Sequence, residues 1–139
     1  MSNEKQEYLL LHRAGNNWYK ELSPEELQQY MGKMKAWFDG LAAKGIVKGG
    51  QPLAGEGRIV SGKGGRTVSD GPFAESKEAI GGYTLILTES LDEAVKIAQG
   101  CPALAYSGSL EVRPLAEECP CMAYAQKVLG EKQLAGVGV

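Results

Sequence analysis

The stretch that most constrains the fold is Tyr8 to Arg13, which reads Tyr-Leu-Leu-Leu-His-Arg. As a strand it places Tyr8, Leu10 and His12 on one face and Leu9, Leu11 and Arg13 on the other, because successive side chains alternate. Both faces are therefore apolar for most of their length, and such a strand expects cover on both sides. One layer of helices supplies only one of those covers.

A helix able to provide the first cover follows. Ser23-Pro24-Glu25-Glu26 combines an N-cap serine, a proline at the first helical position and a glutamate three residues after the cap, which together make a capping box. Leu27, Tyr30, Met31, Met34, Trp37, Phe38 and Leu41 then recur at three- and four-residue spacing as one apolar stripe. Lys44 and Gly45 end the helix. Ser90-Leu91-Asp92-Glu93 is a second capping box. Leu91, Ala94, Val95 and Ala98 line the helix it starts, and Gly100 and Pro102 stop it.

Between the helices, glycines punctuate short strand-like runs. Nineteen glycines are present, and twelve of them cluster in residues 40 to 82. Ile46-Val47 is at most a short strand. Residues 57 to 61 and 66 to 69 form a hairpin across Gly62-Lys63-Gly64-Gly65. A phosphate-loop reading of that turn fails, since it lacks the required spacing and leads into a strand, not a helix. Tyr83 to Thr88 is a strand with Tyr83, Leu85 and Leu87 on one face. Ser109 to Arg113 is the last, with Leu110 and Val112 inward. Residues 8 to 115 thus form one domain, and residues 116 to 139 an extension with a short helix from Pro120 and a frayed tail.

Composition narrows the function classes. A net charge of -2 gives no reason to expect nucleic acid or an anionic membrane as partner. No apolar run approaches the eighteen or so residues of a membrane helix. Met1 to Glu7 carries no signal-like apolar segment, and three cysteines with no such segment point to a reducing cytoplasm. One histidine excludes a histidine-rich metal site. Cys119-Pro120-Cys121 has neither Cys-x-x-Cys spacing nor a second pair, so no metal and no organic cofactor is expected.

The candidate chemistry centres on Ser69-Asp70-Gly71-Pro72-Phe73. Pro72 fixes its own φ and restricts Gly71, so the chain turns sharply with Asp70 at the corner. Pro72 lacks an N–H, which leaves the Phe73 amide as the nearest downstream donor for the Asp70 carboxylate. A turn cap worth about 1 kcal/mol explains Asp70 structurally. The functional reading makes it a pocket general base or substrate anchor, with its pKa raised by partial burial near Phe73 and Tyr83. His12 is either a hydrogen-bonded, partly buried histidine or a proton shuttle. Arg13 is solvated or pairs with an anionic ligand, and Lys77, beside a glycine pair, could meet a phosphate or carboxylate. Trp18 and Tyr19 lie in a loop and are free to rim a pocket or a subunit contact; Trp37 and Phe38 read as core.

With this order of elements in place, the chain resembles the YCII-related family, in its DGPF-domain branch. The matching residues are Tyr8-Leu9-Leu10-Leu11, Ser23-Pro24-Glu25-Glu26, Asp70 to Glu78, Gly81-Gly82-Tyr83, Leu91-Asp92-Glu93-Ala94 and Glu111-Val112-Arg113-Pro114. The resemblance implies a ferredoxin-like α+β domain: an antiparallel sheet with two helices on one face, pairing into a dimeric α+β barrel. It also implies a bacterial family whose biochemical activity is largely unassigned. The wider family's proposed His–Asp site does not transfer. The histidine-rich N-terminal region is reduced to His12, and the acid-proline pair after the second helix is Cys101-Pro102 here. Three functional classes follow: a cofactor-independent small-molecule enzyme using Asp70, alone or together with His12; a non-catalytic ligand-binding or accessory homodimer; and a purely structural dimer module.

Overall fold

The computed structural model describes residues 4–15, 17–71, 79–106 and 108–130. Four strands build the main sheet: β1 (Gln6–Arg13), β2 (Val47–Pro52), β5 (Ile80–Thr88) and β6 (Ser109–Pro114). Their order is β2-β5-β1-β6, and every neighbouring pair is antiparallel. Counted along the chain, these four strands lie in the order 4-1-3-2, the ferredoxin-like arrangement. The expected α+β class is the one observed.

Helix α1 (Pro24–Ala43) connects β1 to β2 and helix α2 (Leu91–Gln99) connects β5 to β6. The first capping box forms in full. The Ser23 hydroxyl accepts from the Glu26 amide at 3.1 Å, and the Glu26 carboxylate accepts from the Ser23 amide at 3.0 Å. At α2 only half of the expected box is made. Ser90 caps the Glu93 amide, but the Glu93 carboxylate accepts from the Glu89 amide, one residue earlier. Either way an orphan donor is satisfied. A third helix, α3 (Pro120–Leu129), follows β6.

Both connecting helices pack on one face of the sheet. Tyr8, Leu10, Ile86, Ala94 and Ala98 form the buried centre, with Trp37, Ile97, Leu110 and Val112 against it. Ala94 and Ala98 are four residues apart on α2, so their small side chains let that helix approach β1, β5 and β6 closely. The Trp37 indole N–H donates to the Ile97 carbonyl at 3.3 Å, which ties α1 to α2. Leu10 is fully buried, a placement that stabilises the fold by about 1.5–3 kcal/mol.

The opposite face carries Leu9, Leu11, Tyr83, Leu85 and Leu87, set side by side by the β1–β5 register that pairs Leu9 with Leu85 and Leu11 with Tyr83. These leucines are only half-buried, and Tyr83 is exposed.

One sequence expectation needs correction. Ile46-Val47 was expected to give at most a short strand, yet β2 runs six residues, through Gly49, Gly50 and Pro52. Intrinsic preference is overridden because β2 is an edge strand, where a proline costs little and pairing with β5 supplies the bonds. The expected hairpin across residues 62–65 forms. β3 (Arg58–Ser61) and β4 (Thr67–Asp70) pair only with each other, as a separate two-stranded sheet inserted between β2 and β5.

Candidate functional site

A cavity of about 570 Å³ lies between α1 and one end of the sheet. Its floor is made of helix-facing positions: His12 on β1, Gly82 and Thr84 on β5, Gly50 on β2 and Leu110 on β6. Tyr30, Met34 and Phe38 cover it from α1 at four-residue spacing. Trp18, from a short 3₁₀ turn after β1, and Ala103 close one side. This explains why Tyr30, Met34 and Phe38 of the α1 stripe are only partly buried, while Leu41, further along the helix, is buried. A good share of the stripe faces an open space in place of packed side chains.

The aromatic wall is held by its own contacts. Trp18 stacks on Tyr106 with ring centroids 6.2 Å apart and meets Tyr30 edge-on at 5.1 Å. Tyr30 in turn meets Tyr106 edge-on at 5.5 Å. Burial, followed by the neighbouring Cys101 and Tyr106, pushes the Tyr30 phenol pKa up, so it stays protonated at neutral pH. Cys101 is itself buried and its thiol is pushed up by desolvation.

His12 is the polar centre. Its Nε2 lies 2.9 Å from the hydroxyl of Thr84, a residue that is 1% exposed. The ring meets Trp37 edge-on at 6.5 Å. Burial lowers the imidazole pKa from its ordinary value, which keeps the ring neutral at pH 7. No buried side-chain nitrogen or oxygen lacks a partner among the described residues. Nδ1 makes no hydrogen bond there and therefore reaches the accessible space.

The other candidate residues are placed as follows. Arg13 and Tyr83 border the cavity, but alternation turns both toward the opposite sheet face. Arg13 Nη2 contacts Glu111 at 2.7 Å, and the second Glu111 oxygen accepts from Arg113 at 3.1 Å. Hydrogen bonds from Arg13 and then Arg113 hold the Glu111 carboxyl below its usual range. Asp70 ends β4, its side chain 88% exposed and 3.3 Å from the Arg58 guanidinium. It is not on the cavity wall. The described residues do not supply the partial burial that its acid/base reading needs, because its hairpin pairs with no strand of the main sheet. Phe73 and Lys77 lie outside the described residues. Of the candidates, His12 turns its side chain to the helix-covered face that floors the cavity, Arg13 and Tyr83 border it from the other face, and Asp70 stands apart.

Sequence reasoning left Trp18 as a loop residue free to rim a pocket and assigned Phe38 to the core. Both line the cavity. Thr84 was not singled out at all, since its bond to His12 joins positions 72 residues apart. A threonine facing the core from within a run of Leu and Ile was the available signal. Among the described residues no group of three or more His, Cys, Asp or Glu could hold a metal ion, and no helix is long and apolar enough to cross a membrane.

Fold and cavity together define a ferredoxin-like α+β domain with a largely apolar chamber beneath its first helix. Residues 7–118 match the YCII-related domain, and the chain belongs to that family. It is 54% identical over 50 residues to an uncharacterised protein of Rhizobium meliloti (strain 1021), an alignment covering 35% of this chain and 40% of that relative. The structure is similar to that of 5-chloro-2-hydroxyhydroquinone dehydrochlorinase (TftG) from Burkholderia phenoliruptrix AC1100, solved in complex with 2,5-dihydroxybenzoquinone. The TM-score is 0.43 at 18% identity, with 80% of this chain and 95% of that chain covered.

Proposed function

We propose that the chain takes a small, mainly apolar molecule into the cavity beneath α1 and that His12 accepts a proton from it. The observation that carries this reading is the asymmetric anchoring of one imidazole. Nε2 lies within hydrogen-bond distance of the buried Thr84 hydroxyl, which anchors the ring, and in the tautomer that carries its proton on Nε2 the Nδ1 lone pair is free to accept a proton. An imidazole kept neutral by burial is in the correct form to act as a general base near neutral pH. Asp70 is assigned no step within the single chain, given its exposure and its pairing with Arg58.

The alternative is a binding module that uses the same cavity without chemistry. Homodimerisation stays part of the proposal in either case. Its support is the row of apolar side chains on the sheet face opposite α1 and α2, where the Arg13–Glu111–Arg113 cluster gives polar edges for register.

Proton abstraction can be tested without knowing the physiological substrate. Small ketones and phenols that bind the cavity are incubated with protein in D2O, and deuterium entering their C–H positions is followed by mass spectrometry. Incorporation that disappears in a folded His12→Asn variant, with binding retained, supports the enzyme. Binding ligands that gain no deuterium leave the binding module as the better reading.

A further inference from the structure

We infer that Gly50 and Gly82 set the specificity of this cavity, restricting its occupant to a flat, uncharged ring system laid against the bare backbone of β2 and β5. This rests on the reading that the cavity binds a small apolar molecule, and it names the class of that molecule.

The register puts both glycines on the floor. Gly50 pairs with Thr84, and Gly82 pairs with both Pro52 and His12. Elsewhere the same sheet face carries large side chains such as Tyr8, Leu10 and Ile86, which fill the gap to the helices. At these two positions nothing fills it, and neither can accept a side chain. Gly50 has φ +155°, and a Cβ there would lie 2.6 Å from the Tyr83 carbonyl oxygen. A Cβ on Gly82 would lie 3.0 Å from the Gln51 carbonyl oxygen and 3.2 Å from the Pro52 Cα. The close approach of β2 to β5 therefore removes one side-chain layer from the floor, directly beside His12.

What remains is a slot bounded by peptide planes below and by Tyr30, Met34 and Phe38 above. Aromatic walls favour partners that stack or meet them edge-on, and a planar ring fills such a slot without axial substituents. The described lining disfavours charge. The guanidinium of Arg13 is engaged by Glu111 on the other face, and His12 and Thr84 offer hydrogen bonds in place of a counter-ion. Among the described residues an ion entering this space would lose its hydration with nothing equivalent in return.

The test uses three probes with one carbon skeleton: 2-naphthol, its saturated counterpart decahydro-2-naphthol, and 2-naphthoate, each titrated into the full chain by calorimetry. The expected result is that 2-naphthol binds at least tenfold more tightly than either of the others. Equal affinity for the saturated alcohol overturns the flat slot while leaving an apolar cavity in place. Equal affinity for 2-naphthoate overturns the exclusion of charge. If none of the three binds, both this inference and the binding reading beneath it fall. Filling the floor through Gly50→Ala endangers folding, so the roof is opened instead. Met34→Ala is expected to bring the preference for 2-naphthol below threefold, and an unchanged preference in the folded variant overturns the slot.

Discussion

Replacing Thr84 by valine separates packing from hydrogen bonding at the centre of the site. Valine keeps the branched shape and the burial of threonine, so an account based only on apolar contact expects no loss, or even a small gain. The bond to His12 at 2.9 Å changes that expectation. Losing it removes about 1 kcal/mol of net hydrogen-bond stability, and leaving the ring's Nε2 without its partner beside a residue 1% exposed adds about another 1 kcal/mol. The total is about 2 kcal/mol. With a urea slope of about 2 kcal/mol per molar, the unfolding midpoint drops by about 1 M. Thr84→Ser is the control: it keeps the hydroxyl and loses a methyl group worth about 0.8 kcal/mol. The expected order of stability is therefore wild type, then serine, then valine. Because the chain has one histidine, its ring nitrogens can be observed directly by nitrogen–proton correlation spectra. The wild type should show one dominant tautomer and Thr84→Val a mixture. A valine variant as stable as the wild type, with an unaltered tautomer, would refute the anchoring of His12.

Two further outcomes follow from the same geometry. The His12 pKa is lowered below its ordinary value of 6.5, so the unfolded chain binds that proton first as pH falls. Stability from this group is complete above about pH 6.5, declines as pH drops toward the folded-state pKa, and levels off below it; urea unfolding against pH should lose this component in His12→Asn. Asp70→Asn breaks an exposed ion pair with Arg58 and is expected to change stability by less than about 1 kcal/mol while leaving 2-naphthol binding intact. A clear loss of affinity in a well-folded Asp70→Asn protein would return that carboxylate to the site.

The parts of the fold legible in the sequence were those written in short-range chemistry. Ser23 and Glu26 announce α1 because a cap needs only three residues to act, and Ser90 does the same for α2. The alternation in Tyr8 to Arg13 and the glycine turn at 62–65 are equally local. β2 was hidden because Gly49, Gly50 and Pro52 argue against a strand, and its bonds come from β5, more than thirty residues away. The site was hidden for the same reason. His12 finds Thr84 and Trp18 finds Tyr106 only through the folded sheet and the turns packed on it. Asp70 drew attention by its unusual corner, but a corner is set by its neighbours in the chain, and proximity to a cavity is not.

The hairpin of β3 and β4 bears on how this architecture tolerates change. Among the described residues its backbone bonds close on themselves, and the excursion between residues 53 and 79 is tied to the sheet at its two ends, where Leu53 N–H meets the Gly81 carbonyl and Ala14 N–H meets the Ala79 carbonyl. The sheet-side partners of those two stitches, Gly81 and Ala14, line the cavity. The hairpin itself lends no strand to the chamber floor, which β1, β2, β5 and β6 build among themselves. Sequence drift within residues 58 to 70 is thereby uncoupled from the shape of that floor.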